Sequence, residues 1–406
     1  MKSNDRVLIV GAGPVGMVCA LALNRAGIKV TVLELEPAPV EDQRAASLHP
    51  PTVEMLDRLG IAEQIMPLGL VSPTYHFRDR ESGERIAEFD LSLLKGEVAF
   101  PFVLQYEQYK LTDRIAKQYG DESDFDVRFA RTVTALEQHA DYIDVTADGP
   151  DGVEHHRATY VIGADGARST VRKAADIEYE GFTYPEHFIK IGTVFDFIGS
   201  GKAQAYRNYF SDPDEWCNLF KVTGKAYPPG IWRGVFPTRV DETPEQALRP
   251  DSLEARMQKF FPKSGRYEIS YANVYGVHQR VAATMRKGRV LLVGDAAHAN
   301  NPIGGMGMNG GIHDAINLCE KLPRVMRGEA DDALLDLFSR QRRKVAIDYV
   351  QAQTINNKKL MEERDPAVRR KNFDELRRTS ENPETARKFM RRAALIDSLK
   401  AAANVT

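Results

Sequence analysis

The sequence predicts an α/β protein: a parallel sheet flanked by helices, with an inserted antiparallel β-sheet and a helical C-terminal segment. Three observations predict it. Arg6 to Leu33 reads as strand, glycine turn, helix and strand. Two further apolar strands, Tyr160 to Gly163 and Arg289 to Val293, run into turns that carry glycine and aspartate. Between those two lies a stretch rich in aromatic residues and in Pro and Gly turns. Strands that alternate with helices indicate a parallel sheet, whereas short strands separated by turns indicate an antiparallel one.

Bulk properties narrow the class. A chain of 406 residues is long enough for about two to three domains. Its 55 Lys plus Arg against 57 Asp plus Glu give a net charge of -2, without the basic excess of a nucleic-acid or membrane-surface binder. Hydrophobic residues at 43% fit a soluble globular protein. Cys19, Cys217 and Cys319 lack metal-ligand spacing and read as buried thiols in a reducing compartment, so the expected location is the cytoplasm. The uncharged stretch Val7 to Leu23 imitates a signal peptide or a short membrane helix. Gly11, Gly13, Pro14 and Gly16 interrupt it, and it supplies the strand and loop that later motifs need.

In chain order, Arg6 to Val10 is a buried strand, Met17 to Ala26 a helix stopped by Gly27, and Ile28 to Leu33 a second strand. Helices are expected at Pro51 to Leu59 and at Glu107 to Gln118. Alternation from Val127 to Thr146 predicts a hairpin or meander turning near Asp141. The aromatic stretch from Gly181 to Val281 predicts antiparallel β with one helix near Leu253 to Phe261, joined by a hairpin at Tyr75 to Ile86. A helix is expected from Asn309 to Leu322, and the chain is helical and charge-rich from Ala333. The expected organisation is a discontinuous nucleotide-binding domain (1–73, 95–180 and 284–345), a β-rich substrate domain (74–94 and 181–283) and a helical segment (346–406).

Three motifs carry chemistry. In Val10 to Gly16, Gly11 permits a tight turn, Gly13 lets backbone approach a pyrophosphate, and Gly16 lets helix pack on strand. Pro14 and Val15 open the helix, whose N-terminal N–H groups and positive dipole end favour phosphate. Glu34 closes the second strand, where a carboxylate can accept from ribose hydroxyls. This much indicates a dinucleotide and leaves NAD and FAD open. The second motif, Tyr160 to Arg172, places Asp165-Gly166 at the C-terminal end of a strand, where ligands bind in α/β sheets, with Ser169 as a helix cap. The third runs from Gly288 to Gly311. Gly294-Asp295 follows a strand, and Gly304, Gly305 and Gly307 then leave backbone N–H groups open to a flat ligand before a helix. That helix's positive end would stabilise the charge of a reduced flavin, which points to FAD.

The three motifs, in this order, resemble the single-component flavin-dependent aromatic hydroxylases, the fold group of p-hydroxybenzoate hydroxylase and phenol hydroxylase. The resemblance runs to about Tyr349 and implies a Rossmann-like FAD-binding domain with an inserted substrate sheet. It implies that Asp165 serves FAD and NAD(P)H, that Asp295 holds ribityl or ribose oxygens, and that Arg44, Gln105 and the backbone of Val133 contact FAD. Gly305, Gly307, Met308 and Asn309 belong to the flavin loop, and Pro302 is expected at the flavin face. Leu35 stands where the family commonly has Arg, and Met306 where it has Gln or Leu. The implied reaction uses NADPH or NADH to reduce FAD, then O2 to form a C4a-hydroperoxyflavin that hydroxylates a phenolic or heteroaromatic, in some cases carboxylated, substrate.

Candidate substrate residues are Tyr209, as a phenol contact; His76, as a proton relay; and Arg233 or Lys221, for a carboxylate. Each has a plainer reading: sheet packing, a surface histidine, ordinary ion pairs. His298 reads as loop support. The charged tail Asp365 to Arg392 reads as a solvated helical face, with a homodimer contact as the other reading. A halogenase or ene-type reductase of the same fold is the alternative chemistry. The only two tryptophans, Trp216 and Trp232, do not form the halogenase Trp-x-Trp signature.

Overall fold

Gly11 to Gly16 folds as its glycines demand. Gly11 takes φ +103°, and a Cβ there would lie 2.5 Å from the Ala164 carbonyl oxygen; a Cβ on Gly16 would lie 2.0 Å from the Gly11 carbonyl oxygen. The strand Arg6–Val10 therefore turns at once into the helix Pro14–Arg25, which begins earlier than its apolar pattern because Pro14 is preset for the first helical position. Gly27, at φ +76°, reverses the chain into the strand Lys29–Leu33. The structure, a computed structural model, describes residues 6–41, 44–122, 124–225 and 228–406, the side chains of residues 121 and 122 excepted. Gln43, which opens the Arg44 segment, lies outside the described residues.

Arg6–Val10 pairs in parallel with Lys29–Leu33 on one side and Tyr160–Gly163 on the other. Phe125–Arg128 and Val290–Leu292 extend the parallel block, and short antiparallel strands close both edges of a seven-stranded sheet. The strands of the two aspartate motifs are direct neighbours, so the ends of all three motifs open on one edge of the sheet. The predicted meander is a three-stranded sheet: Thr132–Gln138, Ile143–Gly149 and Gly152–Ala158.

The aromatic stretch forms most of an eight-stranded sheet. In spatial order its strands are His298–Ala299, Ile269–Ala282, Tyr179–Thr193, Ile231–Pro237, Cys217–Val222, Arg207–Ser211, Thr74–Asp79 and Arg85–Asp90. The hairpin Thr74–Asp90 joins this sheet as expected, but by a parallel pairing, Tyr209 opposite Phe77. One face, with Ile189, Ile191, Phe210 and Trp232, packs under the helix Pro250–Phe260. The other, with Tyr75, Phe77, Phe188 and Tyr209, faces the flavin-loop side and the C-terminal helices, which contribute Met361, Leu376, Met390 and Ile396 to the same core. Among the described residues no helix is long and apolar enough to cross a membrane.

Candidate active site

The nucleotide side is built from loops tied to one another. Glu34 accepts from the backbone N–H groups of Ala12, 2.6 Å, and Glu36, 3.0 Å, fixing the end of the second strand against the glycine turn. Gly13 borders open space, and no side chain caps the helix Pro14–Arg25, so its first amides face the cleft. Asp165 accepts from the Ser169 hydroxyl and the Val171 amide. Burial nonetheless raises its pKa, against those bonds. Arg172 donates to the carbonyls of Ala296 and Ala167, and Tyr179 Oη donates to the Asp295 carbonyl, 2.8 Å. These bonds lock the second motif to the third.

Gly294 takes φ +60°, and its amide donates to Asp314 Oδ2, 3.1 Å. The same carboxylate meets His298 Nε2 at 2.7 Å and accepts from Arg342 Nε at 2.6 Å, all three side chains being buried. Burial alone would raise the Asp314 pKa, but His298, Arg342 and their hydrogen bonds bring it below the usual range. His298 thus supports the loop. The Asp295 carboxylate reaches solvent, although the protein dense around it raises its pKa, with His298 and Arg44 opposing.

The helix after the glycine-rich loop is Met306–Cys319, starting three residues before its expected position at Asn309. Gly305, at φ +70°, ends the loop and lets the helix begin there. Asn309 therefore lies inside the first turn. Its side chain accepts from the His49 amide, 2.8 Å, and donates to the carbonyls of Ser47 and Gly305, so it braces the helix start against the His49 segment. The helix has no side-chain cap, leaving the Gly307 and Met308 amides open. Beside it, the Gln105 side chain is fully buried: Oε1 accepts from Ser47 Oγ at 2.6 Å, and Nε2 has no partner. Val133 is buried at a bulge in its strand, and Arg44 is exposed, its carbonyl accepting from Lys190 and Arg233.

A cavity lies between this loop and the eight-stranded sheet. Tyr75, Phe77 and Tyr209 line the sheet side; Ile303, Gly304 and Met306 the loop side; Asn357, Met361, Phe389, Met390 and Ala393 the C-terminal side. Phe77 stacks on Tyr209 with centroids 5.0 Å apart, and Phe89 on Phe389 at 4.4 Å, making an aromatic wall. His49, Arg207, Leu91, Val103 and Ala394 complete the lining. Burial holds the His49 pKa well below its ordinary value, aided by Arg207 and His313.

Of the residues expected at the substrate, Tyr209 is in this cavity and accepts from Arg207 Nη2 at 3.0 Å. His76 is not. Strand alternation turns it away from Tyr75 and Phe77, and it pairs with Glu88 at 2.8 Å. Arg233 is also elsewhere, fully buried beside Glu107, and Lys221 lies over the Tyr206 and Trp232 rings. Pro302 adjoins the cavity through its neighbour Ile303 and does not line it. The sequence reading missed His49, Tyr75, Arg207 and the C-terminal wall. The Arg-x-Tyr alternation at Arg207 and Tyr209, on one face of one strand, was the available signal.

Residues 4–353 match the family described as FAD binding domain. The chain is 34% identical, over 91% of its length and 90% of the relative's, to a para-nitrophenol 4-monooxygenase of Pseudomonas sp. (strain WBC-3). It is 32% identical to a pentachlorophenol 4-monooxygenase of Sphingobium chlorophenolicum, over 85% of this chain and 63% of that one. In structure it is similar to a p-nitrophenol 4-monooxygenase from Pseudomonas putida DLL-E4, with a TM-score of 0.90, 32% identity and 98% of each chain covered.

Proposed function

Since the chain belongs to the FAD-binding family of flavin-dependent aromatic hydroxylases and is an FAD-dependent monooxygenase, we propose that it hydroxylates a small phenol held in the cavity between the Gly304–Met306 loop and the Tyr75–Phe77–Tyr209 wall. The carrying observation is that the cavity abuts the glycine-rich Gly304–Met306 loop directly and is walled by aromatic side chains. The relatives named for nitrophenol and chlorophenol support a single-ring substrate over a large polycyclic one.

The residues present fit FAD. Gly13 leaves open space at a helix start that a side chain would fill, two helices open on the cleft without side-chain caps, and the buried Gln105 Nε2 lacks a partner. Gly13, Pro14, Val15 and Gly16 would hold the pyrophosphate, Glu34 and Val133 the adenosine end, and Arg44, Asp165, Gly294 and Asp295 the linking oxygens. Gln105, Gly305, Gly307 and Met308 would hold the ring, with Asn309 bracing the helix start against Ser47 and His49. FAD supplies the redox chemistry, taking reducing equivalents from NAD(P)H and activating O2.

The chain's own residues position and shield. The Tyr209 hydroxyl, oriented by Arg207, is placed to hydrogen-bond a phenolic oxygen, and the aromatic wall excludes water from the reacting ring. The Met306–Cys319 helix start favours negative charge at the flavin loop. We retain the domain division 1–73, 95–180 and 284–345 for FAD and 74–94 and 181–283 for substrate, and we place the enzyme in the cytoplasm, where NADPH and NADH are available. The test is purified protein with FAD and a panel of phenols. NAD(P)H oxidation that rises with a phenol, consumes O2 and yields hydroxylated product is the expected result. Turnover that persists without O2, or no flavin bound after reconstitution, overturns it.

A further inference from the structure

The loop side of the cavity contains Gly304 at φ +108° and Gly305 at φ +70°, so its backbone has a freedom that other contacts must remove. Two elements remove it. From the sheet, the buried Gln279 accepts through Oε1 from the Asn301 amide, 3.1 Å, and from the Asn301 side chain, 3.3 Å. Asn301 Oδ1 accepts in turn from the Ile303 amide, 3.1 Å. From the helix Ala352–Met361, Asn357 Nδ2 donates to the Ile303 carbonyl at 3.0 Å, and Asn357 Oδ1 accepts from Gln353 Nε2 at 2.9 Å. Asn357 also packs on Gly304, where a Cβ would lie 2.7 Å from Asn357 Nδ2. The two sides form one network. Gln279 Nε2 donates to Thr354 Oγ1 at 3.0 Å, and Gln351 Nε2 donates to the carbonyls of Arg280 and Ala299. A π-helical turn, Ala346–Gln351, precedes the helix and sets the register in which Gln351, Thr354 and Asn357 all meet the strand and loop. Such turns recur at functional sites.

We infer that Asn357 is a positioning residue for the hydroxylation: its amide donor clamps the Ile303 carbonyl and, with Gln279 holding from the sheet, fixes the depth at which Asn301 to Gly304 stand beside the reacting ring. This rests on the proposed phenol site and concerns what holds one of its walls. The helix that carries Asn357 also supplies Met361 to the C-terminal wall, so the clamp ties that wall to the loop at a set spacing. Reaction between bound partners tolerates little error in position, a displacement of about 1 Å costing about 100-fold in rate. A loop that drifts slows oxygen transfer to the ring more than it slows NAD(P)H oxidation. One NAD(P)H, one O2 and one proton then yield NAD(P)+ and one hydrogen peroxide, and the ring leaves unchanged.

Three variants of the holoenzyme test it. Asn357→Asp keeps the size and the acceptor for Gln353 but sets an oxygen against the Ile303 carbonyl. Asn357→Ala removes both bonds, and Gln353→Ala removes only the one outside the loop. Each is read first at rest, by absorption and fluorescence of the bound flavin. Each is then turned over with the phenol of the panel that wild type hydroxylates, measuring product and hydrogen peroxide per NAD(P)H consumed. Both Asn357 variants are expected to shift the resting flavin spectrum and to lower product per NAD(P)H by about 3-fold or more, with peroxide making up the difference, while KM for the phenol and the rate of NAD(P)H oxidation change less than about 2-fold. Gln353→Ala should match wild type in both readings. Coupling retained in Asn357→Asp overturns the inference. A raised KM with coupling intact also overturns it, by making Asn357 a substrate contact. Coupling lost equally in Gln353→Ala, or lost together with FAD content and Tm in both Asn357 variants, marks general damage to the helix and counts against it in the same way. If wild type hydroxylates no phenol, the hydroxylase proposal fails by itself and the resting spectrum decides alone: a spectrum unchanged in Asn357→Asp overturns the clamp.

Discussion

Asp314 belongs to none of the glycine motifs, yet the Gly294 amide, His298 and Arg342 all converge on its carboxylate. Removing one partner of a buried ion pair leaves the other uncompensated, typically at about 3–5 kcal/mol. Asp314→Asn should lose stability on that order in urea unfolding, and should release FAD more readily than wild type because the Gly294–Asp295 turn loses its tether. His313, next to Asp314 in the chain, gives the fold a pH dependence. Burial, aided by Arg342 and opposed by Asp314, lowers its pKa to about 3 from an ordinary 6.5. The unfolded chain binds that proton below pH 6.5 while the folded chain refuses it until about pH 3. Its contribution is thus intact above pH 6.5 and is lost as pH falls through that window, at up to about 1.4 kcal/mol per pH unit. Urea unfolding at pH 7.5 and pH 5 should show the loss, and His313→Gln should flatten it; a slope unchanged by the substitution refutes the assignment. Residues such as Gly11, Gly294 and Gly305 were legible in the sequence because each answers a local backbone demand. Asp314 and His49 were not, because their importance comes from partners remote in the chain.

At the scale of elements, the helix Pro383–Ala393 changes standing most. Its charged residues read as a solvated face, and part of that reading holds: Arg391 pairs with Glu97 and Asp397, and Arg387 donates to the Leu93 carbonyl. The opposite side of the same helix, through Phe389, Met390 and Ala393, closes the cavity. Alternating charges dominate a sequence reading, whereas three apolar residues within one and a half turns have meaning only once a sheet is placed against them. Ala393→Phe should fill space next to Phe389 and raise KM for phenols at least 10-fold, with FAD content unchanged; steady-state kinetics and the flavin spectrum check it. Helix starts were misjudged for a related reason. Periodicity marks where burial begins, but Pro14 and Gly305 set where helical backbone begins.

For the whole molecule, the three motifs foretold the parallel sheet and the ligand edge, since each is contiguous in sequence. The cavity was beyond reach because the strands at Tyr75 and Tyr209, the loop at Ile303 and the helices at Asn357 and Phe389 meet only in the folded chain. FAD would bridge several of those loops, and a ligand that binds only the native state stabilises it by mass action, by about 2.7 kcal/mol at 100 times Kd. FAD-stripped protein should therefore melt below the holoenzyme, and added FAD should restore Tm in a concentration-dependent way.

The helices Pro14–Arg25 and Met306–Cys319 touch along their length. Cys19 Sγ lies 3.6 Å from Cys319 Sγ, and a Cβ on Gly311 would come within 2.6 Å of Val15 Cγ2 and 2.9 Å of Gly294 Cα. There is no slack for one helix to slide on the other. The two uncapped starts, one suited to phosphate and one to the flavin ring, are thereby held at a set separation, like the jaws of a fixed gauge. That separation depends on the small size of Gly311, where any side chain would wedge the two helices apart.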